Sequence, residues 1–183
     1  LRIAQTADAG YAPIHGMFGL VYMQLKENGR AEESFERALR RIDHFSRLAL
    51  LGGYLALKDA GRLEADRSRL GVVIATGYGA MQTTFAFLDS FIDCGDACSS
   101  PTHFSNSVHN AAAGYWGIAT QSQAPCQVIC AYDASFGAGL LDALAQVVVD
   151  CQPTLLIAYD SEYPEPLHSK RPLPDVAGIA LLL

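Results

Sequence analysis

The sequence is poor in basic residues. Its 183 residues include 13 Lys and Arg against 19 Asp and Glu, which gives a formal net charge of −6 and a pI near 5.2. Binding along nucleic-acid phosphates requires clustered Lys and Arg side chains. This shortage excludes a broad nucleic-acid interface, although the local basic run of Arg37, Arg40 and Arg41 is available to one acidic partner.

Long apolar segments are also missing. No apolar run approaches the roughly 20 residues that span a bilayer, and the first residues lack a charged segment followed by an apolar signal core. We therefore expect a protein that makes no membrane contact and is located in the cytoplasm. Half of the residues are apolar, and the length suits one packed domain. A single α/β domain over residues 1–183 is the resulting expectation.

Cysteine is sparse and odd in number, with the five residues at positions 94, 98, 126, 130 and 151. Three of them lie in or beside apolar segments, which favours buried free thiols over a disulfide framework. Cys94 and Cys98 could share a helical face, but two thiols without nearby His or Cys partners make a poor zinc site. We therefore expect no metal site.

Hydrophobic periodicity predicts an alternation of helices and strands. Apolar residues spaced by three and four predict a helix from Glu32 to Gly61, and the β-branched run from Leu70 to Thr76 predicts a strand buried on both faces. Further helices are predicted at 80–92, 106–119 and 135–149, strands at 126–131, 154–159 and 176–183, and a loop over 162–175. The first three strands should be neighbours in one sheet covered by helices, which is an α/β fold.

The turn Gly77-Tyr78-Gly79 follows the first strand, as a dinucleotide-binding loop does. The third glycine of that fingerprint is missing, because Gln82 stands in its place. The sequence therefore excludes a nicotinamide site at this turn, and no other cofactor is expected.

The roles of the aromatic residues in the predicted helices have more than one interpretation. Phe85, Phe87 and Phe91 could line an acyl tunnel or fill the core, and helix-spaced aromatic residues are more often core. Tyr115 and Trp116 adjoin a run of small residues and could form a subunit contact.

Three segments, taken in order, resemble the amino-terminal half of the ketoacyl synthases of the thiolase superfamily. Residues 40–61 look like the family's first long helix, and residues 70–79 are similar to its strand and Gly-x-Gly turn. Residues 101–114 and 126–143 are similar to the helix and the nucleophile elbow at the family's dimer interface. The resemblance covers roughly residues 37–183 and implies half of the layered αβαβα thiolase-like fold, with a mixed central sheet.

The resemblance also implies what this chain lacks. The strand around Gly178 to Leu183 is similar to the place where the family's first half ends, so the second half is expected to be absent. In full-length synthases that second half carries the two histidines and the lysine that support decarboxylation and condensation. None of them can be assigned here.

The elbow departs from the family at its central position. In the family, a cysteine at the strand-to-helix turn precedes a small residue and Ser, and the helix stabilises the thiolate of that cysteine. Aligned through Ala134, Ser135, Asp142 and Ala143, the nucleophile's position holds Asp133.

Asp133 has two interpretations. It could cap the following helix by accepting backbone hydrogen bonds, or it could act as an acyl-aspartate nucleophile or assist decarboxylation. The cap is favoured because a nucleophile needs an activating partner. His103 in a predicted loop and His109 in a packed helical position are poor candidates for that partner.

Three functions from different classes remain open. The first is a non-elongating ketoacyl-synthase-like subunit in fatty-acid or polyketide biosynthesis, which resembles chain length factors, including those of aryl-polyene pathways. It would pair as a homodimer, or as a heterodimer with a full ketoacyl synthase, through residues 105–119 and 126–131. It could also meet an acyl carrier protein. The others are a ketoacyl synthase whose catalytic second half is absent from this chain, and an acyl-thioester decarboxylase that uses Asp133.

Overall fold

The computed structural model describes residues 42–63, 69–173 and 176–183. Its helices are α1 (His44–Asp59), α2 (Met81–Cys94), α3 (Pro101–Ser107), α4 (Ala111–Thr120), α5 (Ser135–Val149) and α6 (Leu167–Lys170). Its strands are β1 (Gly71–Thr76), β2 (Cys126–Cys130), β3 (Thr154–Asp160) and β4 (Ala177–Leu182), and short 3₁₀ helices occupy Gly95–Cys98 and Tyr132–Ala134. None of the helices within these ranges is long and apolar enough to cross a membrane.

The four strands form one mixed sheet in the order β2-β1-β3-β4. β1 pairs in parallel with β2 and with β3, and β3 pairs antiparallel with β4. Parallel neighbours require crossover connections, which the helices between these strands supply. The predicted α/β fold and the neighbouring positions of the first three strands are thereby confirmed.

A side-chain cap fixes the start of α1. Asp43 has an extended backbone, and its carboxylate accepts hydrogen bonds from the backbone N–H groups of Phe45 (3.1 Å) and Ser46 (3.3 Å). Such a cap satisfies donors that the first helical turn leaves unpaired. The predicted helix is therefore confirmed from His44 onward, and its proposed start at Glu32, with Arg37, Arg40 and Arg41, lies outside the described residues.

The sheet separates two apolar layers. Val72, Ile74, Leu155 and Ile157 point to the side covered by α1 and α4. Alternate residues of the same strands point to the side covered by α5, where Val73, Ala75 and Leu156 pack on Ala143. Because successive strand residues face opposite sides, the continuous apolar runs of β1 and β3 are buried on both faces.

β2 is not the buried central strand that its apolar sequence predicts. It lies at the edge of the sheet, and β1 is its only strand partner among the described residues. Cys126, Gln127 and Cys130 are exposed. The apolar composition of a five-residue strand does not show whether the strand is central or at an edge, because its burial depends on what pairs with its second side.

The helix predicted at 106–119 is two helices. α3 starts earlier than predicted, because the Ser100 hydroxyl accepts a hydrogen bond from the His103 N–H and Pro101 occupies the first turn. Both features are typical of a helix start. Val108 adopts an extended conformation and ends α3, and α4 begins at Ala111.

Two predictions about aromatic residues are wrong. Trp116 is not a surface contact residue, because it is only 4% exposed and packs among the residues of α1 and β3. Phe85, Phe87 and Phe91 are not core residues, because none of the described residues 81–94 is buried. Phe87 instead contacts Phe104 of α3, with 5.6 Å between the ring centroids. α2 and α3 therefore pack on each other and leave apolar side chains exposed.

The cysteines also differ from the expectation. Cys126, Cys130 and Cys151 are free, as predicted, but they are exposed rather than buried. Cys94 is disulfide-bonded, which corrects the expectation of free thiols at that position. A disulfide near the end of α2 was not evident from spacing alone, because pairing depends on the distance and direction of two side chains.

The contact between α1 and α4 depends on a glycine. A Cβ atom at Gly53 would lie 2.3 Å from Cζ3 of Trp116, whereas a Cβ at Gly114 of α4 would meet no described heavy atom within 4 Å. We predict that Gly53→Ala lowers the free energy of unfolding by about 1–3 kcal/mol through overpacking. The control Gly114→Ala should raise it by about 0.5–1 kcal/mol through helix propensity.

Urea unfolding followed by Trp116 fluorescence measures both changes. Equal free energies for Gly53→Ala and the unsubstituted chain would show that the indole ring is not held against α1.

Candidate functional site

The carboxyl ends of the three parallel strands meet at one edge of the sheet, and a tyrosine follows each strand. Tyr78 follows β1, Tyr132 follows β2 and Tyr163 follows β3. Tyr78 lies between the other two, with edge-to-face contacts to Tyr132 (centroids 5.1 Å apart, 84°) and to Tyr163 (5.2 Å, 87°). Ligands of open α/β sheets bind outside this end of the strands, so we take this edge as the candidate site.

A buried hydroxyl holds the turn after β2. The Ser135 Oγ accepts a hydrogen bond from the Ala131 N–H at 2.9 Å. The same oxygen lies 2.8 Å from the Thr76 carbonyl oxygen and 2.7 Å from the Tyr132 carbonyl oxygen. The Ser135 hydroxyl can donate its proton to either of these carbonyls. Ser135 therefore ties the turn after β2 to the end of β1.

A carboxylate holds the turn after β1. Asp160, at the end of β3, accepts a hydrogen bond from the Thr76 hydroxyl at 2.6 Å and another from the Gly77 N–H at 2.9 Å. The Thr76 oxygen in turn accepts from the Gly79 N–H at 3.1 Å. Burial and the nearby Asp160 carboxylate raise the pKa of Tyr163. The hydrogen bonds of the Asp160 carboxylate thus hold the turn after β1 at this edge of the sheet.

The turn after β2 is sharp. Tyr132 has a φ of 51°, in the left-handed region that non-glycine residues seldom adopt. Tyr132, Asp133 and Ala134 form the 3₁₀ turn that leads into α5. The predicted strand-to-helix elbow is confirmed, and the residue with the strained backbone is Tyr132 rather than Asp133.

The prediction that Asp133 caps the following helix is wrong. In the described structure α5 begins at Ser135 without a side-chain cap. The Asp133 side chain is 91% exposed, and its Oδ1 forms an ion pair with Nη2 of Arg171. Arg171 is a residue that the sequence analysis did not single out. The guanidinium lies 5.3 Å from the centroid of the Tyr78 ring, so it bridges the elbow and the tyrosines.

The two free cysteines of β2 are poor nucleophiles. Desolvation raises the pKa of the Cys126 thiol to about 11. Desolvation and the Asp160 carboxylate raise the pKa of the Cys130 thiol. Cys130 lies within β2, opposite Thr76 of β1, and not on the turn. Because the thiolate is the reactive form, neither position has the electropositive surroundings of an activated cysteine.

The histidines considered as bases form none of the hydrogen bonds that hold this edge among the described residues. His103 is on α3 and is exposed, and His109 is exposed on the turn after α3, where its Cβ faces Gly79. Within the described ranges, no three His, Cys, Asp or Glu side chains are grouped so that they could hold a metal ion.

Four residues that shape the edge were not predicted from the sequence. Tyr78 was considered only as part of a glycine turn, and Asp160, Tyr163 and Arg171 were not considered. A signal for three of them existed, because the residues that follow consecutive parallel strands meet at one edge. Arg171 had no such signal, since it comes from the segment after α6.

The chain's fold is similar to those of solved ketosynthases. A ketosynthase (ApeO) in complex with its chain length factor (ApeC) from Xenorhabdus doucetiae matches with a TM-score of 0.65 and 25% identity, over 80% of this chain and 59% of that chain. The ishigamide ketosynthase/chain length factor matches with a TM-score of 0.62 and 19% identity, over 78% and 43%. A beta-ketoacyl synthase from Burkholderia phymatum STM815 matches with a TM-score of 0.58 and 16% identity, over 71% and 32%.

These matches confirm the thiolase-like fold that the resemblance implied. This chain spans less than two thirds of the length of each of the three solved chains. Among curated proteins, none matches the sequence significantly.

The family model that describes the amino-terminal domain of beta-ketoacyl synthases matches residues 36–182. That range contains all of the described strands and helices, the elbow, and the three tyrosines at the carboxyl ends of the parallel strands. The chain therefore belongs to the beta-ketoacyl synthase family, through that family's amino-terminal domain.

Proposed function

We propose that this chain is a non-elongating, cytoplasmic ketoacyl-synthase-like subunit in fatty-acid or polyketide biosynthesis, and that it pairs with a full synthase and shapes its acyl pocket. The observation that carries the proposal is the chemistry of the elbow. The turn after β2 holds Tyr132 and Asp133, and no cysteine lies on it. We take Asp133 as the counterpart of the family's nucleophile.

The ion pair of Asp133 argues against catalysis by its carboxylate. The Oδ1 atom of Asp133 is engaged by Arg171, and neither His103 nor His109 lies where it could serve as the base that activates a nucleophile. For the same reason, the ion pair disfavours a decarboxylase that uses Asp133. A role in which the elbow does no covalent chemistry fits these contacts better.

Exposed surface supports the pairing. The outer edge of β2 has no strand partner among the described residues, and such an edge presents unpaired backbone N–H and C=O groups. Nearby elements expose large apolar side chains, including Phe104 and Val108 around α3 and Ile118 of α4. The similar structure from Xenorhabdus doucetiae is a complex of a ketosynthase with its chain length factor. We propose that this chain pairs through residues 105–119 and 126–131.

The isolated chain should form no ketoacyl product from an acyl-carrier thioester and a malonyl thioester, because the elbow offers no thiolate. Asp133→Cys should also be inactive, since a thiol without supporting groups for the developing enolate does not condense. Mass spectrometry of the carrier-bound products checks both proteins, with a competent synthase as the positive control. Ketoacyl product from the unsubstituted chain would contradict the proposal.

Cys126 should react slowly with iodoacetamide at pH 8 despite its exposure, because its pKa of about 11 leaves little thiolate. The rate should rise about tenfold per pH unit until the pH approaches that value. Peptide mass spectrometry at several pH values measures the rate at this residue. A rate that is already constant above pH 8 would mean that the thiol is activated.

Ile118→Arg should weaken binding to a full ketoacyl synthase from the same organism by at least about tenfold. A charge would replace a side chain that is 53% exposed in the proposed interface. Val149→Arg makes the same change at a site that is 76% exposed at the end of α5, outside the proposed interface. Calorimetric titration of the purified proteins compares them. Equal affinities for the two variants would place the interface elsewhere.

A further inference from the structure

One side of α1 presents apolar side chains that the sheet does not bury. The half-buried residues Leu48, Leu51 and Leu55 follow the helical spacing of three and four, and Tyr54 adjoins them. Arg47 is the one charged residue among the half-buried residues of α1. We call Leu48, Leu51, Tyr54 and Leu55 the outer stripe of α1. A helix that is apolar on this side as well as on its core side is typical of a helix packed between other elements.

The contact between the outer stripe and β4 is incomplete. A cavity of about 30 Å³ lies beside Leu48 and Leu51, next to residues 178–180 of β4. Its lining is mainly apolar side chains of α1, β3 and β4. A further apolar element on this side of α1 would therefore bury the stripe.

The end of α1 is a helix stop that a few residues build. Gly61 has a φ of 65°, and its N–H donates a hydrogen bond to the Lys58 carbonyl at 3.0 Å. The Arg62 N–H donates to the Leu57 carbonyl at 2.8 Å. These two bonds and the left-handed glycine form the stop that commonly ends α-helices.

The residues around this stop also occur earlier in the chain, outside the described residues. Five residues of the segment 54–62 have identical counterparts 32 positions before them. The counterparts of Tyr54, Leu57, Lys58, Gly61 and Arg62 are Tyr22, Leu25, Lys26, Gly29 and Arg30. Because the residues that build the stop recur together, the sequence predicts a helix that ends at Gly29.

The spacing of the residues around Gly29 predicts a second helix after it. Gly19 and Tyr22 are separated by two residues, and Ala31 and Phe35 by three. This is the spacing of helix pairs of the tetratricopeptide type. Such a pair cannot bury its apolar side alone, and it packs on the helix that follows it.

α1 is the helix that follows these residues directly. The helix predicted from Glu32 ends before Asp43, because Asp43 has an extended backbone and caps α1. Ile42 precedes the cap, is 3% exposed and belongs to the same apolar core as Phe45. Since Ile42 anchors the end of the segment in the core, the preceding residues are tethered beside α1.

We propose that residues 14–41 form a helix pair and that its first helix lies parallel to α1 and covers the outer stripe. Equivalent residues of successive repeats are neighbours in such packing, so Lys26 lies next to Lys58. The family model begins at residue 36, and most of this pair therefore lies outside the matched region. The inference concerns the chain's own packing and does not depend on pairing with a synthase.

Crosslinking of lysines tests the position of the first helix, because the chain has three lysines: Lys26, Lys58 and Lys170. A short amine-reactive crosslinker and peptide mass spectrometry should give Lys26–Lys58 as the dominant product. The pairs that contain Lys170, on α6, are the internal comparison. Mixing isotope-labelled with unlabelled chains separates a crosslink within one chain from a crosslink between two copies.

Hydrogen exchange tests whether the segment covers α1. Phe35→Asp places a carboxylate in the proposed apolar contact and should speed amide exchange in residues 44–59 at least about fivefold. The control Ser34→Asp introduces the same side chain outside the apolar spacing and should leave that exchange unchanged. Exchange in α5, on the other side of the sheet, should stay the same in both variants, which distinguishes local uncovering from unfolding of the whole chain.

Thermal unfolding identifies a variant that fails to fold, and the crosslink in the unsubstituted chain then decides. Three results would each overturn the proposal. The first is a Lys26–Lys58 yield no higher than that of the pairs with Lys170. The second is a Lys26–Lys58 crosslink found only between two copies. The third is equal exchange in α1 for the folded Phe35→Asp and Ser34→Asp variants. None of these results bears on whether the chain binds a synthase, so the two proposals succeed or fail separately.

Discussion

Thr76 is the residue on which the candidate site depends. Its hydroxyl donates to Asp160 at the end of β3 and accepts from the Gly79 N–H, and its carbonyl lies within hydrogen-bond distance of Ser135 at the start of α5. One residue of β1 thereby links the ends of all three parallel strands. Thr76 and Ser135 are buried, and a buried polar group that lacks a partner costs more free energy than a hydrogen bond contributes. The turns that carry Tyr78, Tyr132 and Tyr163 are positioned by this network.

At the elbow, a firmly held buried residue lies close to a loosely held residue on the surface. Ser135 is buried and hydrogen-bonded, whereas the side chain of Asp133, two residues earlier, is 91% exposed and forms an ion pair with Arg171. A nucleophile needs the opposite arrangement, in which the reactive atom is fixed and its neighbours activate it. The turn after β2 has the strand-to-helix form that the resemblance predicted, and its contacts are an ion pair and aromatic edges.

The two faces of the sheet differ in how completely they are covered. On one side, α1 and α4 bury Trp116 against the sheet, and Gly53 allows the close approach. On the other side, α5 covers the sheet with Ala143 but exposes Leu141, Leu144 and Val148 on its outer surface. The open edge of β2 and the exposed apolar residues around α3 and α4 are the surfaces on which the proposed pairing depends.

The elements of the fold follow from the sequence, because local patterns decide them. The apolar runs from Leu70 to Thr76 and from Thr154 to Tyr159 predicted buried strands, and the order of motifs predicted the family and the elbow. The resemblance also predicted that the turn after β2 holds the position of the family's nucleophile. These features depend on residues that are close together in the chain, or on an ordered set of them.

What only the tertiary structure decided is the environment of each side chain. The sequence predicted buried strands for both β1 and β2, but β2 is an exposed edge, because burial depends on the neighbour on the strand's second side. Trp116 is core because Gly53 of α1 leaves room for its ring. Asp133 pairs with Arg171, 38 residues away, rather than with the adjacent helix. Contacts between distant residues have no local signature, so the chemistry of the elbow was decided by packing.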